Sequence, residues 1–430
     1  MKYLVVLVLV LKMHQICFSQ SEFTDTAAAW FEELKMATRQ NLPLWKQDIY
    51  APLLLVDPST RNIYANAPDS NGNLTLTGNI YTGQLPETVN IANTAIEWAG
   101  QHWAMVMLPL PENKHSRIHL LAHELFHRAQ KQMGFFPASP DNNHLDKKNG
   151  RLYLRLELEA LKKAVLAPTR IELMKHLTNA IYFRRERHNF FPGSDTTENL
   201  LELNEGLCEF TGFMISGREG YEARKYFVKR ITEFTNSISY IRSFAYETIP
   251  VYGFLLNPTK KGWNREVLQT TNLTDFFSNA FMIPPPDRRR NNIVNIGKEY
   301  DYSNILAEES VREQQFLEQY ARYRFQFIDT VHIEIPLIKM NMSFDYTRQF
   351  SLDSLGMVYP SIRITDEWGI LQAEKGALIN AGWNQVNISL PVAINGEKIE
   401  GDGWTLELNS SFTLEKDEVT GNYRVKRSEE

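Results

Sequence analysis

Apolar positions along this chain follow two different periods, and the change from one to the other divides it. Between Ser116 and Gln130, residues Ile118, Leu121, Ala122, Leu125 and Ala129 recur at helical spacing, with Met133 beyond them. His123 and His127 fall nearly opposite that stripe, so the predicted helix can bury one side and offer both imidazoles to a cleft. Helical patterning then dominates to about residue 327, with 151–161, 169–187, 197–215, 220–237 and 304–327 as the main predicted helices. Ahead of the histidine helix, a short helix around 27–36 precedes strand-like runs at 52–56, 78–82 and 103–110. After Asp329 the period becomes two. Residues 338–346 alternate strictly, and similar short runs recur at 361–365, 386–390 and 404–408, split by Gly, Asn and Asp.

The pattern predicts an α+β protein. An N-terminal α/β part (20–110) and a helical part (111–328) would together form one catalytic domain, followed by a β-sandwich-like domain (329–430). No internal repeat is visible.

The stretch His123-Glu124-Leu125-Phe126-His127 carries the most chemical information. Histidines four apart on a helix project side by side and can share one Zn²⁺, while the glutamate beside them can act on a metal-bound water. Catalytic zinc usually takes three protein ligands, so a third is needed. The segment 197–212 is the best source. On a helix Glu198, Glu202, Glu205 and Glu209 share one face, opposite Leu200, Leu203, Leu207, Phe210 and Met214. Like charges at these spacings repel, and no Lys or Arg occurs between Asn189 and Gly217, so the stripe calls for a cation from elsewhere in the fold. For Glu198 and Glu202 a solvated acidic face is the expectation.

HELFH followed by LNEGLCEF resembles the HExxH plus NExxx(D/E) arrangement of the gluzincin metallopeptidases. Carried over by position, the resemblance implies His123, His127 and Glu205 as zinc ligands, Glu124 as general base, and Glu209 as a carboxylate supporting a ligand histidine from behind. Glu209 shares a helix face with Glu205, and a ligand histidine commonly donates its free N–H to a carboxylate. The match covers only these two motifs and the order of elements around them. Its spacing is unusual, since a much longer stretch separates His127 from Glu205 than in the best-known members. Asp146, near the shorter spacing, and Glu157 and Glu159 are therefore rival third ligands, although Asp146 sits in the polar, turn-like stretch 141–150. The resemblance also implies that an edge strand near the metal binds the substrate backbone, and the run 103–110, which leads into the histidine helix, is the expected strand. Gln130 and Met133 occupy the places where a metzincin would have Gly and His, which excludes that variant.

A hydrolase of this class needs a donor for the developing oxyanion. The segment 243–257 supplies Tyr246 and Tyr252, between which the sequence does not choose, and His144 is expected to be a satisfied loop histidine.

Composition narrows the setting. Met1-Lys2 and the apolar run 3–11 read as a signal peptide covering 1–19, with cleavage before Gln20. Lipoprotein anchoring at Cys17 is the competing expectation, but His14, Gln15 and Ile16 are not the small residues that such a site prefers. Removing the leader would leave Cys208 as the sole cysteine, hence no internal disulfide, which favours a bacterial periplasm or outer surface. Cys208 reads as a packing residue. A formal charge of −5, with no basic cluster beyond Arg288-Arg289-Arg290, gives no support to nucleic-acid binding. No other stretch is long and apolar enough to cross a bilayer. The expected function is a secreted or periplasmic zinc metallopeptidase acting on a peptide or protein substrate. The alternatives are a non-catalytic zinc-binding protein and a carbohydrate or adhesion protein working through its β-domain.

Overall fold

The computed structural model describes residues 20–285, 292–344 and 349–428. The expected leader, Cys17 and Arg288–Arg290 lie outside the described residues. The chain is mixed α+β and divides into two compact units, Met1–Glu309 and Ser310–Glu430.

The first unit is built around a six-stranded sheet. Its strands run in the order Thr75–Thr77, Ile80–Gln84, Asn62–Ala65, Leu53–Val56, Gln101–Met107, Thr94–Trp98. Leu53–Val56 pairs in parallel with Gln101–Met107, while the other pairings are antiparallel. All four residues of Leu53–Val56 are buried, because both faces of the sheet are covered. Leu53 and Leu55 join the main core with the helices, whereas Leu54 and Val56 face a smaller cluster with Trp103 and Met105. The strand predicted at 103–110 is therefore interior. The edge beside the histidine helix belongs to Thr94–Trp98, whose side chains are only half-buried and whose signal in the sequence is weak.

The histidine helix spans Lys114–Gln130, and Asn113 caps it by accepting a hydrogen bond from the Ser116 amide at 3.0 Å. It packs along Leu207–Ile215 so closely that a Cβ on Gly212 would lie 2.6 Å from the carbonyl oxygen and from Cδ2 of His119. Gly212→Ala should therefore force the two helices apart and cost about 1–3 kcal/mol, read as a lower urea midpoint at unchanged slope. An unaltered midpoint would show that this helix pair gives way freely. The predicted run 151–161 lies within the helix Lys148–Leu166, which pairs with Arg170–Phe190.

The second unit starts earlier than the expected 329. Tyr320, Tyr323 and Phe327 gather with Leu352, Val358 and Leu378 in one apolar cluster, so the end of the helix Tyr302–Arg324 and the turn after it belong with the strands. A seven-stranded and a six-stranded sheet come next, sharing one core. Ile335, Ile379 and Val386 come from the first sheet, and Ile364, Leu371 and Leu406 from the second. Of the alternating runs, 361–365 and 404–408 correspond to strands Ile362–Asp366 and Trp404–Leu408.

Candidate functional site

His123 and His127 leave the same face of Lys114–Gln130, and each ring has its far nitrogen occupied. Gln130 donates its Nε2 hydrogens to the carbonyls of Asn204 (2.7 Å) and Leu203 (3.3 Å). Its Oε1 is thereby turned to accept from His127 Nδ1 at 3.0 Å. His123 Nδ1 lies 3.0 Å from Glu209 Oε2, in position to donate to it. In the neutral tautomers that these contacts select, both Nε2 lone pairs would point at one place, which is how outer hydrogen bonds set a ligand tautomer. The two Nε2 atoms are 3.0 Å apart, and Glu205 Oε2 is 3.2 Å from that of His127 and 3.5 Å from that of His123. Donor atoms held 2.0–2.1 Å from one tetrahedral zinc ion would be about 3.3 Å apart, so this triangle is of the right size for that ion.

Electrostatics point the same way. Burial opposes charge on His123, but the hydrogen bonds it donates to the carboxylates of Glu205 and Glu209 overcome this and raise its pKa to about 10. Burial pushes the carboxyl of Glu205 up, yet His123, His127 and Tyr246 more than reverse this and hold it well below the usual range. Glu209, also buried, is held ionised by His119 and His123. The surroundings favour positive charge at the triangle.

Glu124 stands beside it, 4 % exposed, with Oε2 buried and lacking any hydrogen-bond partner. Burial is the largest influence on its carboxyl and raises the pKa above the usual carboxylate range. Tyr246 donates its hydroxyl to Glu205 Oε2 and stacks on His123, with ring planes 11° apart. His123, Glu124 and Tyr246 border a cleft of about 550 Å³.

Glu205 reaches the triangle because its helix is irregular. Ser194–Leu201 and Leu207–Ile215 are joined through a π turn at Glu202–Gly206. The extra residue in a wide turn rotates the residues beyond it by roughly 100° relative to an ideal helix. The four glutamates predicted on one face are therefore split between two, with Glu205 and Glu209 facing the histidines.

Glu198 and Glu202 correct the expectation of a solvated face, since each is 1 % exposed. Glu198 receives two hydrogen bonds from Arg187 at 2.7 and 2.8 Å, and Glu202 two from Arg184 at 2.7 and 2.9 Å. The same two arginines bind Glu157 at 2.7 and 2.8 Å. The cations that the acidic stripe called for thus come from the preceding helix, just ahead of the stretch that lacks them.

This network also places several other candidates away from the triangle. Glu157 is committed to Arg184 and Arg187, and Tyr252 is fully buried and donates to Glu157 Oε1 at 2.9 Å, which removes it as an oxyanion donor. His144 is satisfied by Glu198 at 2.7 Å. Glu159 pairs with Lys162 at 2.6 Å, and Asp146 accepts from the Tyr240 amide at 3.0 Å.

Cys208 is buried, as expected of a packing residue, but it touches the site. Its Sγ lies 3.3 Å from His127 Nδ1 and donates to the Asn204 carbonyl at 3.0 Å. With His123 and His127 it forms a group whose possible ligand atoms lie within 4.8 Å of one another. Sγ is on the Nδ1 side of His127, whereas Nε2 faces Glu205, and burial drives the thiol pKa well upward. The geometry therefore favours Glu205 as the partner of the two Nε2 atoms.

Four residues of the cleft carried no assignment in the sequence. His119, one turn before His123, has its Nε2 3.0 Å from Glu209 Oε1, and the run His119, His123, His127 at steps of four was the available signal. Arg230 binds Glu247 and comes within 3.5 Å of Glu209, and Arg218 and Tyr226 lie nearby. Nothing in their local sequence marks them. Comparison of the chain with protein-family models, curated proteins and solved structures finds no match.

Proposed function

We propose that the chain is a zinc-dependent metallopeptidase of gluzincin-like type, with His123, His127 and Glu205 as ligands and Glu124 as general base. The convergence of Nε2, Nε2 and Oε2 within 3.5 Å, beside a buried Glu124 oxygen that lacks a partner, carries this reading. Zinc held there would lower the pKa of a water and polarise a carbonyl.

Glu124 Oε2 faces no competing protein donor, so it is available to take the proton of an attacking water and deliver it to the leaving amine. Tyr246 is kept protonated by burial and by the neighbouring Glu205, and because it lines the cleft its hydroxyl can turn from Glu205 Oε2 to an oxyanion, which the enclosed Tyr252 cannot do. Glu209 and Gln130 hold the two rings in the tautomer the ligand set needs. Asn93, immediately before the edge strand Thr94–Trp98, lines the cleft, which supports binding of an extended peptide by strand addition.

Elemental analysis of the dialysed protein tests the ligand set. The chain should hold about one zinc, and Glu205→Ala should lose most of it. Zinc retained in full by that variant would turn attention to Cys208. Its place in the His123 and His127 group supports a second reading, a closed and purely structural metal site.

A further inference from the structure

Among the described residues two cations line the cleft, Arg218 and Arg230, and Arg218 is the one that no carboxylate pairs with. Its guanidinium is fixed by hydroxyl, carbonyl and imidazole groups: Nη2 donates to Ser116 Oγ at 2.8 Å, and Nη1 to Ser216 Oγ at 3.0 Å, the His115 carbonyl at 3.3 Å and His119 Nδ1 at 3.5 Å. Its Cζ lies 4.4 Å from the centre of the Tyr226 ring, within cation–π range. Among the described residues no carboxylate lies within ion-pair distance of it. Arg230, by contrast, is bound to Glu247 and is 3.5 Å from Glu209. Burial lowers the pKa of Arg218 by more than Tyr226 and the more distant Glu209 raise it, so the guanidinium is drawn partly out of water without full compensation. A charge held rigid in this way, facing a cleft and unneutralised, gains most from a ligand that brings an anion.

Ser116 and His119 stand two turns and one turn before His123 on the same helix, which places the guanidinium about 6–10 Å along the helix axis from the histidine pair. That distance is about two or three residues of extended peptide.

We infer that Arg218 forms a carboxylate-binding subsite of the cleft, selecting substrates that carry a carboxylate two or three residues from the bond cleaved. The inference rests on the peptidase reading for the meaning of "substrate", but the subsite can be measured without turnover. The carboxylate is either a free C-terminus or an Asp or Glu side chain, and in both cases the guanidinium binds it through charge-assisted hydrogen bonds.

Calorimetric titration of the zinc-loaded, full-length Glu124→Gln protein with three matched peptide series separates these cases. One series has a free C-terminus and no acidic side chain, one an amidated C-terminus with a single Asp or Glu, and one an amidated C-terminus with Asn or Gln in its place. At least one carboxylate series should bind about tenfold or more tightly than the neutral series. The series that wins identifies the source of the carboxylate. Adding Arg218→Met should abolish the preference and Arg218→Lys should keep part of it, with thermal unfolding confirming that both variants are folded. Equal binding of all three series, no binding of any, or a preference that survives Arg218→Met would overturn the subsite. A preference that depends on Arg218, alongside wild-type protein that cleaves none of the peptides, would instead overturn the peptidase reading and leave the subsite in place.

Discussion

Replacing Glu124 by Gln should lower peptide turnover by about a hundred- to ten-thousandfold, the range expected when a general base is lost, while zinc content stays that of the wild type. The two halves of this outcome depend on different atoms. The proposed ligand triangle consists of His123 Nε2, His127 Nε2 and Glu205 Oε2, and Glu124 contributes no atom to it. A glutamine of almost the same shape fills the same buried place but cannot accept a proton. The side-chain Oε2 it replaces has no protein hydrogen-bond partner, so little internal structure depends on the lost charge. The reduction should appear in kcat more than in KM, because the base acts in the transition state. Turnover within a few-fold of wild type would remove Glu124 from the mechanism. Zinc lost together with turnover would place it among the ligands.

The second large effect is on stability. Arg184→Met should destabilise the first unit by about 3–5 kcal/mol, since removing one member of a buried charge network leaves its partners unpaired. Arg184 donates to Glu202 through two nitrogens and to Glu157 through a third, and all three side chains are essentially inaccessible. Tyr252 and Thr248 each add one hydrogen bond, to Glu157 and Glu202 respectively. They cannot supply the missing positive charge. Glu202 begins the π turn that carries Glu205, so the same change should loosen the ligand triangle and lower zinc affinity. Denaturant unfolding of the zinc-free protein isolates the folding contribution, and a loss below about 1 kcal/mol there would show that Arg187 and the polar neighbours compensate.

The network also explains where the acidic stripe misleads. Four glutamates at helical spacing look alike in sequence, and charged helix positions are mostly solvated. Here two are neutralised by Arg184 and Arg187 and two by histidines, and a single wide turn decides which pair goes where. Tyr246 and Tyr252 teach the same lesson. They lie six residues apart in one helix, Ala245–Leu256, yet one reaches Glu205 and the other Glu157.

By itself the sequence determined the elements whose signal is local. Periodicity set the histidine helix, the long helices after it and the alternating strands of the C-terminal unit, because backbone pattern and side-chain burial share one repeat. The HExxH spacing set the pairing of His123 with His127, since helical geometry alone puts residues four apart on one face. Tertiary structure decided what depends on residues far apart in the chain. The orientation of Gln130 by the Leu203 and Asn204 carbonyls, His119 as a second neighbour of Glu209, the separation of Tyr246 from Tyr252 and the place of Arg218 in the cleft all come from contacts between distant segments. The start of the second unit was hidden as well, because a continuous helical period gives no sign of which end of Tyr302–Arg324 packs against which core. Contacts of this kind are chosen by shape and charge complementarity across the whole fold, and a local pattern of residues does not encode them.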